Sequence, residues 1–142
     1  MDDDFVLSGS PALGDLNDAL GELGFRRQGD RYVHEHIPFF VEFPRGPLGI
    51  GEDIRIRPVW RSRRGAKTLA LSATDSCRDR LAAYYHWRDQ QSLAAAVAIA
   101  SRNRVVLRKI REWSRGEGHP RGYAAFVTEL ARAKTRRRRS GA

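Results

Sequence analysis

The chain has 142 residues, of which 41% are hydrophobic, a size and composition that suit one domain with a buried core. A single cysteine excludes an internal disulfide, and there is neither an apolar run of membrane-spanning length nor the basic start of a signal peptide, so we expect a cytoplasmic protein without a membrane partner. The 26 Lys and Arg exceed the 17 Asp and Glu by a formal net charge of +9, which favours polyanionic partners such as nucleotides and nucleic acids.

The first 71 residues predict a strand, a helix and a small, mixed but mostly antiparallel sheet. Ser10 is a candidate helix cap, Pro11 suits the first helical position, and leucines at helical spacing follow before Gly24 ends the helix. Strand-like composition then recurs at 31–35, 39–43, 53–57 and 68–71, with a turn over 61–67.

The remaining residues predict helices and a basic tail. Ser72 and Asp75 have the spacing of a capping box, and Pro120 can open the last helix. We therefore expect an α+β fold with one domain over 1–133, divided into a sheet half (1–71) and a helical half (72–133). The lysine and arginines of 134–142 predict a disordered basic tail able to contact RNA or DNA.

Carboxylates at the start of the chain form a candidate metal site. Asp2 and Asp4 are two residues apart, so on a strand they share one face, and Glu42 on a paired strand can join them. Such a set of hard oxygen ligands suits Mg²⁺ in phosphoryl or nucleotidyl transfer. The alternative is that the aspartates form a solvated end and Glu42 faces water.

Motifs in family order carry a resemblance over most of the chain, from Met1 to about Phe126. They are Asp2-x-Asp4, the strand Phe40-Val41-Glu42-Phe43-Pro44, and the segment from Asp79 to Gln91 that contains Tyr84-Tyr85-His86-Trp87. Together they resemble uncharacterised bacterial nucleotidyltransferase-like proteins of the polymerase-β superfold, some of which are related to toxin–antitoxin systems.

The resemblance implies an enzyme that transfers a nucleoside monophosphate from a nucleoside triphosphate to a hydroxyl group. In such enzymes carboxylates matching Asp2, Asp4 and Glu42 hold the Mg²⁺ ions. It also implies that Arg78 or Arg80, together with Asp89, faces the nucleotide site, where the cation complements phosphate charge and the carboxylate orients it. The alternative for these three residues is an ion pair that fixes helix packing.

One departure from the family pattern concerns phosphate binding. The family has a Gly-Gly or Gly-Ser turn before the D-x-D motif, whereas Gly9 and Ser10 follow it here. We therefore expect either a start further upstream, a segment supplied by a partner chain, or a truncated relative that no longer turns over nucleotide. The alternative function is a non-catalytic nucleic-acid-binding or partner-binding protein of toxin–antitoxin type, and a third option is a plain structural scaffold.

Overall fold

The chain forms two compact units, residues 1–48 and 49–142. The computed structural model describes residues 2–4, 12–44 and 46–141, with backbone alone for residues 2–4 and Arg63. Five helices and two small sheets in these residues confirm the expected α+β class. The boundary between the units differs from the division expected at residue 71, because the last two strands belong to the same unit as the later helices.

The first unit is a four-stranded sheet with one helix. Its elements are β1 (Asp2–Asp4), α1 (Leu13–Glu22), β2 (Phe25–Gln28), β3 (Arg31–His34) and β4 (Ile37–Glu42). The strand order is β1-β4-β3-β2, with β1 parallel to β4 and the other pairs antiparallel. Helix α1 begins after Ala12, and the predicted cap at Ser10 and Pro11 lies outside the described residues.

The core of the first unit lies between α1 and one face of this sheet. Phe25, Tyr32 and Val41 are buried there, and Leu20 of α1 packs against them. The hydroxyl of Tyr32 donates a hydrogen bond of 2.7 Å to the side-chain oxygen of Asn17 in α1. Because Val41 faces this core, the alternate positions of β4, Phe40 and Glu42, belong to the opposite face of the sheet.

The second unit is a β-hairpin followed by four helices. Its elements are β5 (Val59–Arg63), β6 (Ala66–Ala70), α2 (Ala73–Trp87), α3 (Gln90–Arg102), α4 (Leu107–Gly116) and α5 (Pro120–Ser140). The start of α5 at Pro120 agrees with the sequence prediction. None of the helices in the described part of the chain is both long enough and apolar enough to span a membrane.

The hairpin corrects two sequence-based predictions. A strand is predicted at 53–57, but in the structure Asp53 forms only an isolated bridge with Ile50. The turn predicted over 61–67 is instead two paired strands joined by Arg64 and Gly65. Their φ angles of 51° and 85° are the left-handed values that a two-residue hairpin turn of type I′ requires.

Caps and a shared core position the four helices. Ser72 Oγ accepts a hydrogen bond from the Asp75 amide, as the predicted capping box requires. The buried core includes Leu81 of α2, Ala96 of α3, Ile110 of α4 and Phe126 of α5. This packing of apolar faces stabilises all four helices together.

Helix α5 continues through the basic residues that were predicted to form a disordered tail from residue 134. It ends only at Ser140. Lysine and arginine have high helix propensity, so the helix can continue past the last buried residue, Leu130. The Arg137 guanidinium also donates a hydrogen bond of 2.8 Å to the carbonyl oxygen of Ser101 near the end of α3.

Candidate functional site

The first candidate site is the pair of strands that carries the predicted metal-binding carboxylates. The parallel register sets Asp4 opposite Glu42, Asp3 opposite Val41 and Asp2 opposite Phe40. Because positions alternate between faces along both strands, positions 2, 4 and 42 share the sheet face opposite α1. The backbone therefore brings together the three positions that the sequence singles out.

Glu42 occupies a central place on this face. Strand β4 lies between β1 and β3, so hydrogen bonding from both sides fixes its backbone. The half-buried Glu42 has Asp4 as its partner on β1 and Arg31 as its partner on β3. The Arg31 guanidinium carbon lies 5.0 Å from the ring centroid of Phe40, a cation–π contact on the same face. One cation therefore stands beside the acidic positions.

The described side chains contain no group of three or more His, Cys, Asp or Glu residues arranged to hold a metal ion. The side chains of Asp2 and Asp4 are not among those described. The chemistry of the donor set nevertheless fits Mg²⁺, since carboxylate oxygens are the hard ligands that this ion prefers.

The second candidate site surrounds Arg78 in α2. Its side chain is 5% exposed, and its two Nη atoms donate hydrogen bonds of 2.9 Å to Asp75 Oδ1 and 2.7 Å to Asp53 Oδ2. The guanidinium carbon lies 5.1 Å from the ring centroid of Trp113 in α4. Arg78 therefore connects α2 to the loop before the hairpin and to α4.

The charges around Arg78 lower the pKa of one of its partners, Asp53. The hydrogen bond from Arg78 is the largest cause holding the pKa of Asp53 below its ordinary value, and a backbone hydrogen bond from Arg55 adds to it. Arg78 Nε is buried and has no hydrogen-bond partner within the described residues. The guanidinium thus makes its hydrogen bonds through the Nη atoms alone.

An open cavity of about 460 Å³ lies beside this ion-pair cluster. Its charged lining is mixed in sign, and Trp113 also lines it. The charged residues are Arg55, Arg57, Arg78, Lys109, Asp53, Asp75 and Glu112. A pocket of this size and polarity can take a small polar molecule.

The other two residues implied by the resemblance have local partners. Arg80 is exposed and lies 2.7 Å from Asp79 Oδ2. Asp89 is the N-cap of α3, where its side chain accepts hydrogen bonds from the Gln91 amide and Ser92 Oγ, and the Ser92 bond lowers its pKa. The Arg80 contact matches the ion-pair alternative, whereas Asp89 caps a helix instead. The phosphate roles of Arg78, Arg80 and Asp89 stay predictions.

The hairpin is a third feature with functional potential. Trp60 of β5 has 68% of its surface exposed, and its cross-strand partner Leu69 has 44%. Trp60, Arg61, Ser62 and Lys67 line an open cavity of about 380 Å³ on the ribbon. The hairpin therefore presents an aromatic ring and cationic side chains to solvent.

No protein family model, curated protein or solved structure matches the chain.

Sequence reasoning missed both the cluster around Arg78 and the hairpin surface. Asp53 and Arg78 are 25 residues apart, and no spacing rule connects a loop aspartate to a helix arginine at that distance. The hairpin does have a sequence signal, the glycine at the second position of the Arg64-Gly65 turn. That signal is weak because asparagine or aspartate usually precedes the glycine in such turns.

Proposed function

We propose that the chain is a nucleotidyltransferase-like protein whose acidic sheet face binds Mg²⁺ and a nucleoside triphosphate. The observation that supports this proposal is the parallel register that sets Asp4 opposite Glu42 and puts position 2 on the same face. The resemblance drawn from the sequence implies a metal-holding role for the same three residues. The reaction would transfer a nucleoside monophosphate to a hydroxyl group, with the acceptor on RNA, protein or a small molecule.

The donors suit this chemistry in type and placement. When bound, Mg²⁺ would neutralise phosphate charge and favour deprotonation of an attacking hydroxyl group. The chain's own contribution would be to hold the carboxylates in place, because Glu42 lies on an inner strand of the sheet. Arg31, the cross-strand partner of Glu42, would supply positive charge beside the triphosphate.

Calorimetric titration of the folded chain with Mg²⁺ and each nucleoside triphosphate tests the proposal. We expect saturable binding that requires Mg²⁺. Asp4→Asn and Glu42→Gln should each weaken this binding at least tenfold, since each removes a charged ligand. The matched control is Glu35→Gln, which removes an exposed carboxylate from the turn between β3 and β4. Absence of binding by the folded wild-type chain, or equal affinities for Glu42→Gln and Glu35→Gln, would reject the proposal.

A second candidate function is non-catalytic binding of RNA or DNA by the end of α5. It is favoured by the exposed cations Lys134, Arg136, Arg137, Arg138 and Arg139 on that helix. Phosphate contacts of this kind give an affinity that falls steeply with salt concentration. Removal of residues 134–142 should therefore abolish binding, and a shortened chain that keeps its affinity would exclude this function.

A further inference from the structure

The β5–β6 hairpin is the most exposed ordered element of the second unit. Each of its residues whose burial is described is either exposed or only half-buried. An isolated two-stranded ribbon is marginally stable, and burial of one face is the usual way to stabilise it. Here both faces are accessible, so the hairpin contributes little to the core and is available to a partner.

The charged residues of the hairpin are all of one sign. Between Asp53 and Asp75 the sequence contains no acidic residue. The cationic residues in that interval are Arg55, Arg57, Arg61, Arg63, Arg64 and Lys67. Four of these, Arg61, Arg63, Arg64 and Lys67, belong to the hairpin, whereas Arg55 and Arg57 line the mixed-charge cavity beside Arg78. A hairpin with this bias attracts a polyanion by electrostatic steering.

The arrangement on one face of the ribbon adds an aromatic ring to this charge. Cross-strand pairing of Trp60 with Leu69 and of Ser62 with Lys67 puts these four residues on the same face. The ring of Trp60 lines the 380 Å³ cavity together with Arg61 and Lys67. Most of the indole surface lies in water, since Trp60 is 68% exposed.

We propose that this hairpin binds single-stranded nucleic acid, with an unpaired base stacked on Trp60 and a neighbouring phosphate contacted by Lys67. Exposed aromatic rings among cationic side chains are the means by which proteins hold single strands without reading their sequence. A paired base does not offer its face to the indole ring. The hairpin is a different surface from the end of α5, and this inference does not rest on the nucleotidyltransferase proposal.

Fluorescence anisotropy of labelled oligomers with the full chain tests this inference. The probes are single-stranded oligouridylate and oligothymidylate of about 16 nucleotides, and a DNA duplex of equal length. Neither nucleoside triphosphate nor Mg²⁺ is added, so the result is independent of the nucleotide-binding test above. The two single strands distinguish RNA from DNA as the natural ligand, and the duplex measures binding without free bases.

Substitution of Trp60 should change single-strand affinity specifically. We expect Trp60→Ala to weaken binding by about 5- to 160-fold, the range for loss of one stacked base, and Trp60→Phe to retain most of the affinity. The matched control is Trp87→Ala, because Trp87 is 76% exposed but lies at the end of α2. The control should bind like the wild-type chain.

A charge substitution provides a second measurement that does not alter the indole ring. Affinity is measured between about 50 and 200 mM salt, and the logarithm of affinity is plotted against the logarithm of salt concentration. Lys67→Gln should lower the slope of this plot by the amount expected for about one phosphate contact. Arg121→Gln, an exposed cation at the start of α5, serves as its control. Should Trp60→Ala disturb the hairpin in circular dichroism, the salt slope of Lys67→Gln decides the question.

Three results would overturn the inference. One is equal single-strand affinity for wild type, Trp60→Ala and Lys67→Gln. Another is tighter binding of the duplex with the same sensitivity to Trp60, which would indicate that the ribbon enters a groove. The third is loss of all binding on removal of 134–142 when Trp60→Ala has no effect, which would assign binding to α5 alone.

Discussion

The guanidinium of Arg78 lies 2.7 Å from the carboxylate of Asp53, and this contact joins α2 to the loop that leads into the hairpin. The same side chain pairs with Asp75 in the first turn of α2 and lies against the ring of Trp113 in α4. One buried cation therefore holds three segments of the second unit. Its energetic importance can be measured directly.

Substitution of Arg78 by alanine should strongly destabilise the second unit. The change leaves Asp75, whose side chain is 9% exposed, without its ion-pair partner, and removal of one member of a buried pair costs about 3–5 kcal/mol. Urea denaturation followed by circular dichroism measures the loss in the free energy of unfolding. Arg80→Ala is the control, since its pair with Asp79 is exposed and should contribute about 0–1 kcal/mol. Equal effects of the two substitutions would contradict the structural role of Arg78.

Stability should depend on pH through Asp53. The pKa of Asp53 is lowered in the folded chain, chiefly by the hydrogen bond from Arg78. The ionised carboxylate therefore makes its full contribution to the free energy of unfolding above the unfolded-state pKa of about 4. That contribution is lost as the pH falls through the lower folded-state pKa. The difference in unfolding free energy between the wild-type chain and Asp53→Asn should therefore shrink between pH 6 and about pH 3. Urea denaturation at both pH values checks this, with Asp30→Asn as an exposed control. A constant difference would contradict the assignment.

A methyl group at Gly122 should destabilise the helical core. A Cβ atom there would lie 2.5 Å from Cε1 of Tyr85. Tyr85 cannot move away easily, because it is buried, stacked against His119 and hydrogen-bonded to Ser114 at 2.9 Å. We expect Gly122→Ala to lower the free energy of unfolding by about 1–3 kcal/mol.

The control for this substitution is Gly14→Ala in α1. Nothing lies within 4 Å of a Cβ atom at that position, so the better helix propensity of alanine should stabilise α1 by about 1 kcal/mol. Thermal denaturation of both variants distinguishes overpacking from propensity. A stabilising effect of Gly122→Ala would show that Tyr85 can move aside.

Replacement of Arg64 by asparagine should stabilise the hairpin. Arg64 has a φ of 51°, a left-handed conformation that asparagine adopts more readily than arginine, and Asn-Gly is the preferred type I′ turn. Hydrogen exchange of the cross-strand amides should slow about threefold, which corresponds to a rise of about 0.6 kcal/mol in the free energy of local opening. Faster exchange in the variant would mean that the arginine side chain itself supports the turn.

Local patterns predicted the elements whose signals lie within a few residues. Ser72 and Asp75 marked the start of α2, and Pro120 marked the start of α5, because caps and first-turn prolines depend on neighbouring residues alone. The two-residue spacing of Asp2 and Asp4 also predicted that these positions share one face of a strand. The register in the structure identifies β4 as the strand paired with it. The functions assigned to these carboxylates stay predictions.

Features that depend on distant partners were not predictable. The 53–57 segment alternates like a strand, but within the described residues no neighbouring strand pairs with it, and the Asp53 side chain pairs instead with Arg78. The continuation of α5 past residue 134 likewise depends on the earlier turns of the same helix, which nucleate it, and on the contact of Arg137 with Ser101. Composition describes the charge of that segment but not its conformation.

The uneven burial of the three tryptophans determines how unfolding can be followed by optical spectroscopy. Trp60 and Trp87 are already surrounded by water in the native chain, whereas Trp113 is half-buried against Tyr85 with a ring separation of 5.7 Å. The tryptophan fluorescence maximum of the native chain should therefore lie at a long wavelength. Most of the fluorescence change on denaturation should come from Trp113. A chain carrying Trp60→Phe and Trp87→Phe would turn that residue into a selective reporter of the helical core.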